Sequence, residues 1–372
     1  MMSPAQATAR DGPYVPGVEY AVAGRAGSPS LERLVSELTG ALDRAGFARP
    51  ADATAPDLVV NLFEPDAPRP FRRHSRGTFV AALHERSEPP EDVLLETYPL
   101  LVRALANVGL CYVPPGDVWF TTMERGAYAV HGPTTAELAA RVVERLEPLA
   151  RARLVIDNEF KTDLEPELWR GDEATDEIRS AGVRLGEHGL LPAPFPIEEL
   201  LDERDLRHVK RLYGIGGLSY GNLSRRKDER RFWMSASGVD KTQLDVPGRD
   251  VLLVAGYEPD PPRIVVSVPP DVEPRRVSVD AIEHWMIYRE HPDVGAILHV
   301  HAWMEGIPAT DINYPCGTEE LARGVADLIG QERDPAHAVV GLRNHGITAT
   351  GTTLTEILDR IEPRLLRQVP MT

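Results

Sequence analysis

Two histidines two residues apart mark where this sequence could do chemistry. They close the run Val294-Gly-Ala-Ile-Leu-His299-Val-His301, which is apolar and β-prone and so predicts a buried strand. Residues i and i+2 of a strand share a face, so both imidazoles can reach one cation at the ~2.0–2.1 Å of a zinc–nitrogen bond. Taken alone, the pair equally fits two hydrogen-bonded core histidines. A third histidine shifts the balance. The segment Ala338-Val-Val-Gly-Leu-Arg-Asn-His345-Gly-Ile-Thr-Ala-Thr-Gly351 reads as a strand, a turn at Asn-His-Gly and a second short strand. A histidine at a strand end, beside a glycine that lets backbones approach, suits a third ligand. Three imidazoles leave a coordination position for substrate, as catalytic zinc sites do, and they suit Fe(II) as well.

A carboxylate stands upstream of the pair. Asp280 opens Asp280-Ala-Ile-Glu283-His284-Trp, ahead of a predicted helix over 281–290. Beside a dication it would stay ionised and accept a proton. The same four residues are also a capping box, in which Asp280 only caps the helix and Glu283 is the box partner or a surface residue. His284 either supports a ligand or is a lone helix histidine. Small residues around Gly214–Asn222 could turn backbone N–H groups toward an anion, or could simply connect two strands tightly.

In order, the chain carries Gly214-Ile-Gly-Gly-Leu-Ser-Tyr-Gly-Asn222-Leu-Ser224, Met234-Ser-Ala-Ser237-Gly238-Val-Asp and Ser278-Val-Asp280-Ala-Ile-Glu-His-Trp. Then come His-Pro-Asp-Val-Gly-Ala-Ile-Leu-His-Val-His301, Tyr314-Pro-Cys-Gly-Thr-Glu-Glu and Leu342-Arg-Asn-His345-Gly. Together these motifs resemble the class II aldolase/adducin family over roughly 206–361, while the first two hundred residues resemble no family we can name. The resemblance implies an α/β/α domain with a mixed, mainly antiparallel central sheet, and sites lying between subunits of a cyclic homotetramer. It also implies a divalent metal, usually Zn2+ (Fe2+ and Mn2+ are the alternatives), on His299, His301 and His345. Asp280 falls at the family's carboxylate position, as ligand or base. Asn222, Ser237, Gly238 and Ser278 match positions that hold phosphate in sugar-phosphate members.

Departures from the family accompany these matches. Val279 replaces a small hydroxylic residue, so a carboxylate substrate fits nearly as well as a phosphate. The 44 residues from His301 to His345 are fewer than usual. Several members place a catalytic tyrosine on the C-terminal segment, and residues 362–372 hold none. Tyr314 and Asp311 are the stand-ins for proton donor, each also readable as structural. Adducin-type members have lost the metal ligands; this sequence keeps all three histidines.

The implied activity is that of a metal-dependent (zinc) lyase or epimerase on a small anionic hydroxy-carbonyl compound. The metal would stabilise the enediolate or alkoxide, and Asp280 would move the proton. The alternatives are an iron-dependent decarboxylase or oxygenase on the same scaffold and a non-catalytic adducin-like binding protein.

Around these residues the chain has 372 positions, 42% hydrophobic and 26% charged, which suits two globular domains. With 41 Lys+Arg against 57 Asp+Glu the net charge is −16, a field that repels nucleic acid. Two cysteines are too few for a disulfide framework or a cysteine zinc site. There is no secretory leader and no run long enough to span a membrane, so a cytoplasmic protein is expected. We divide the chain into a flexible arm at 1–29, a smaller α/β domain at 30–157, an acidic helical and proline-containing linker at 158–204, and the metal-binding domain at 205–372. In the first domain Arg69, Arg72, Arg73, His74 and Arg76 form a basic cluster, either a solvated loop or an anion site.

Overall fold

A computed structural model describes residues 17–50, 55–75, 77–123, 126–187, 201–212, 221–367 and 369–370. Most of the expected arm, the prolines at 192–196, Arg76 and the glycine loop up to Tyr220 lie outside the described residues.

Six strands form the first sheet in sequence order: β1 (Tyr20–Ala23), β2 (Leu58–Leu62), β3 (Phe79–Glu85), β4 (Val108–Val113), β5 (Asp117–Thr122) and β6 (Ala127–His131). The first four run parallel, and β5 and β6 return antiparallel. Leu58-Val-Val-Asn-Leu62 is buried throughout, as parallel strands covered on both faces require. Helices α1 (Pro29–Arg44) and α3 (Thr135–Arg151) cover one face through Leu34, Leu38, Leu138 and Leu146. Helix α2 (Val93–Arg103) covers the other through Tyr98 and Leu101. Each begins at a side-chain cap, where Ser28, Asp92 and Thr134 accept from the N–H three residues on. Within the arm expected over 1–29, residues 20–23 instead form β1, paired with β2, and Ser28 caps α1. Four residues cannot declare a strand without the neighbour that completes their hydrogen bonds.

The second sheet is built from β7 (Asp157–Lys161), β8 (Gly221–Arg226), β9 (Phe232–Ser235), β10 (Val251–Pro259), β11 (Pro262–Ser267), β12 (Ala296–Val300), β13 (Val339–Leu342) and β14 (Gly346–Gly351). Across the sheet these eight strands take the order β13-β14-β12-β8-β9-β10-β11-β7. All pairings are antiparallel except the edge strand β7, parallel to β11. Helices α4 (Glu173–Glu187) and α8 (Leu354–Ile361) pack on one face, and α6 (Ala281–Glu290) and α7 (Glu319–Gln331) on the other. Helix α5 (Glu203–Leu212) instead sits against α2, joined by the ion pair of Arg103 with buried Asp205 at 2.6 Å. No helix among the described residues is long and apolar enough to cross a membrane.

The acidic stretch expected as a linker over 158–204 therefore gives β7 and α4 to the second sheet. Leu164, Leu168, Ile178 and Leu185 enter its core. The acidity of α4 lies on its solvent face, and the polar sequence of β7 suits an exposed sheet edge. Before β7, Leu154 forms a single bridge with Thr318.

For the site, the central strand β12 matters most. Every residue of it is buried. Leu298, fully covered on the face opposite His299, contributes about 1.5–3 kcal/mol of apolar burial. The neighbours fix its register, placing His299 opposite Asn222 of β8 and Thr348 of β14.

Candidate metal centre

The three histidines meet because two backbones press against the end of β12. A side chain at Gly346 would meet the Val300 carbonyl at 2.3 Å and His301 Cα at 3.1 Å, so only glycine lets this turn lie against the strand. Asn344, with φ of 57°, makes the turn between β13 and β14. On the other side Gly221, with φ of 124°, lets β8 approach the His299 carbonyl just as closely. His345 is thereby carried to His301, Nε2 to Nε2 at 3.0 Å. The ring centroids of His299 lie 5.2 Å from His301 and 4.8 Å from His345. One nitrogen from each ring falls within 4.8 Å of the others.

Hydrogen bonds hold the His299 ring. His299 Nδ1 lies 3.3 Å from Thr348 Oγ1, which also pairs with Glu283 Oε1 at 2.6 Å, and the ring hydrogen-bonds the Ile347 backbone as well. Its Nε2 is buried and has no hydrogen-bond partner among the described residues. Burial also lowers the proton affinity of His299, against the pull of Asp280, and lowers that of His345 well below the ordinary value. Imidazoles this close together, one of them with an unpartnered buried nitrogen, fit a divalent cation.

Asp280 precedes α6 at the N-cap position, yet its side chain makes no capping hydrogen bond. Its Oδ2 accepts from Asn222 Nδ2 at 2.7 Å, and the Gly317 N–H also serves the carboxylate. Oδ1 is buried with no partner among the described residues. Burial pushes this carboxyl upward, while His299, Asn222 and Lys241 oppose the shift. Glu283 does not complete a capping box. It turns inward to Thr348, and burial followed by the charge of Asp280 pushes its carboxyl up to about 8. His284 pairs through Nδ1 with Ser224 Oγ at 2.7 Å, and Ser224 pairs with Tyr288.

Of the expected anion-binding residues, Ser237 and Gly238 sit in the turn after β9, where the Ser237 N–H donates to the Arg276 carbonyl. The bridge between Ala236 and Val277 brings that turn beside Ser278. Asn222 is engaged with Asp280. Lys241 was not singled out by the sequence reading. It is buried under this turn, donates to the Ala236 carbonyl at 2.9 Å, and is pushed down to about 7 by burial. Its signal was its place in the Gly238-Val-Asp-Lys241 motif. Thr348 and Cys316 were also passed over; Cys316 Sγ lies 3.3 Å from His345 Nε2. Asp311 is exposed and offers its carbonyl to Arg343, while Tyr314 packs half-buried against the core.

The basic cluster of the first domain divides. Arg69 lines a cavity of about 380 Å³ with Arg25, Phe63 and Glu64, whereas Arg73 donates inward to the Leu105 carbonyl and Asn107.

Residues 207–304 match the family described as Class II Aldolase and Adducin N-terminal domain. Among solved structures the chain is similar to an L-fuculose 1-phosphate aldolase, at 19% identity over 52% of this chain and 81% of that one, with a TM-score of 0.36. The L-fuculose-1-phosphate aldolase of Thermus thermophilus is similar at 20% identity over 50% and 84%, with a TM-score of 0.29. An aldolase II superfamily protein from Pseudomonas syringae is similar at 15% identity over 54% and 72%, with a TM-score of 0.34. Comparison with curated proteins finds no match.

The raised carboxyl of Glu283 has a consequence for stability. Its folded-state value, about 8, lies above the ordinary 4.5, so its contribution is complete below 4.5 and is lost as pH rises through 8. Glu283→Gln should flatten that alkaline decline in the metal-free protein. Thermal midpoints followed from about pH 5 to 9 check this; parallel curves for the two proteins would refute it.

Proposed function

We propose, from the match of residues 207–304 to the class II aldolase/adducin family, that the protein is a metal-dependent lyase or epimerase acting on a small anionic hydroxy-carbonyl compound. One observation carries the reading. His299, His301 and His345 come together, and the buried Asp280 beside His299 accepts from Asn222 instead of capping its helix.

His299, His301 and His345 would hold the ion, with zinc the first choice for an all-imidazole set. When bound, the ion supplies Lewis acidity at a carbonyl or hydroxyl oxygen, stabilising negative charge that develops as a C–C or C–H bond breaks. The chain's own residues do the rest. Asn222 holds Asp280 Oδ2, so Oδ1 is the atom placed to take or return a proton. Ser237, Gly238 and Ser278 form the anion-binding side, and Lys241 beneath them adds positive potential toward a phosphate or carboxylate. Burial of His299, His345, Asp280, Asn222, Ser278 and Lys241 keeps water from these groups and strengthens their interactions.

The protein is expected to work as a homo-oligomer, a tetramer, in the cytoplasm. Three histidines and a carboxylate make one wall of a pocket, and a small-molecule site normally buries most of its ligand. Sedimentation at the mass of four chains is the expected result, and a monomer of 41.0 kDa would exclude it.

Metal analysis of protein purified without chelator tests the core of the reading. We expect close to one equivalent of zinc per chain, and a large loss in His301→Ala with the fold retained. Stoichiometric iron would redirect the function to decarboxylation or oxygenation, and absence of metal would point to a binding role. Asp280→Asn should abolish turnover with little change in thermal stability, because the side chain caps no helix and an amide oxygen can still accept from Asn222 Nδ2. Full activity in that variant would remove Asp280 from the chemistry.

A further inference from the structure

We propose that the cavity of the first domain is a second ligand site, shaped for a small phosphate ester that carries hydroxyl groups. This does not rest on the metal reading above. The cavity lies where the chain changes faces. Helix α1, after β1, covers one side of the parallel sheet, and α2, after β3, covers the other, so the change falls in the connection from β2 to β3. Open parallel sheets leave a crevice at such a point, beyond the carboxyl ends of their strands. Here the crevice holds about 380 Å³, within the range of small-molecule pockets. Gly24 and Arg25 line it from the end of β1, and Phe63, Glu64 and Arg69 from the connection after β2.

Its walls are fixed from below. Gly24, at φ of 86°, lies so close to β2 that a side chain there would overlap the Leu62 carbonyl. Buried Asn61 donates to the Arg69 carbonyl at 2.7 Å, which pins the backbone that carries this arginine. The Ala67 N–H closes a tight turn on the Glu64 carbonyl at 2.9 Å. Leu62 and Phe63, both buried, give the floor an apolar surface.

The charges supply the second observation. Arg25, Glu64 and Arg69 are exposed around the hollow, and none of their side chains forms an ion pair or hydrogen bond among the described residues. The chain has 57 acidic residues to offer as partners, yet neither guanidinium takes one, Glu64 included. Two separate guanidiniums suit the several oxygens of a phosphate dianion better than the two of a carboxylate. Glu64 repels a second anionic group and accepts from a hydroxyl, as an acidic residue does for the sugar in nucleotide-binding sheets. The ligand these charges describe is an ester with a phosphate at one end and hydroxyls at the other.

Titration calorimetry tests this on the full-length protein stripped of metal, with glycerol phosphate and inorganic phosphate as probes. We expect the ester to bind, and its affinity to fall about 10-fold or more in Arg25→Gln and in Arg69→Gln. Arg72→Gln, in an exposed arginine of the same loop that does not line the cavity, should bind as the wild type does. Added salt should weaken the binding, since the contacts are exposed charges. Glu64→Ala should lower the ratio of ester to phosphate affinity by strengthening phosphate and weakening the hydroxyl contact. All four positions are exposed, and circular dichroism should show each variant folded. Absence of binding at millimolar ester, or an affinity unchanged in both Arg25→Gln and Arg69→Gln, would overturn the proposal. A ratio unchanged in Glu64→Ala would overturn the part played by the hydroxyls. None of these results bears on the metal centre, which His301→Ala tests separately.

Discussion

The candidate centre depends on how closely two backbones can press against the end of β12. An antiparallel ladder sets the spacing of strands, but a turn lies flat on a strand only where no Cβ intervenes. Gly346 on one side and Gly221 on the other meet that condition. With them, His345 arrives from a turn more than forty residues away and faces His301, the residue just past the end of β12. A methyl group at 346 would hold the turn off the strand, and the third imidazole would move with it.

The second constraint is electrostatic. Asp280, Glu283, His284, His299, His345 and Lys241 are all buried within one region of the second domain. Unpaired charges in such a setting are costly, so the groups shift toward neutrality: the carboxyls upward, the imidazoles and the ammonium downward. Thr348 and Asn222 show how the fold manages this. They sit on either side of His299 in one cross-strand row, and one serves Glu283 while the other serves Asp280. A divalent ion on the imidazoles would reverse the local logic by favouring the ionised form of Asp280. The polar core thus suits a cation better than it suits an apolar interior.

The first domain stands apart from this chemistry. Its parallel strands β1 and β2 end at a cavity with two arginines and a glutamate, at the carboxyl edge where open parallel sheets leave a crevice. Its basic cluster serves two purposes at once, since Arg73 braces the loop before β3 from within while Arg69 faces the cavity.

Local pattern determined a good deal of this protein. The apolar run ending in His299-Val-His301 specified a buried strand, and β12 carries His299 but stops one residue short of His301. The strand–turn–strand around His345 was legible from the same kind of local pattern. What local pattern could not decide was who sits opposite whom. Asp280-Ala-Ile-Glu283 has the spacing of a capping box, and tertiary structure overrode it by offering Asn222 to one carboxylate and Thr348 to the other. The stretch at 158–204 carries the charge of a linker, yet its few apolar residues became core once the edge of β11 accepted β7. Lys241, Thr348 and Cys316 acquire their positions only from pairings between segments dozens of residues apart, and such pairings follow from the free energy of the whole packed sheet.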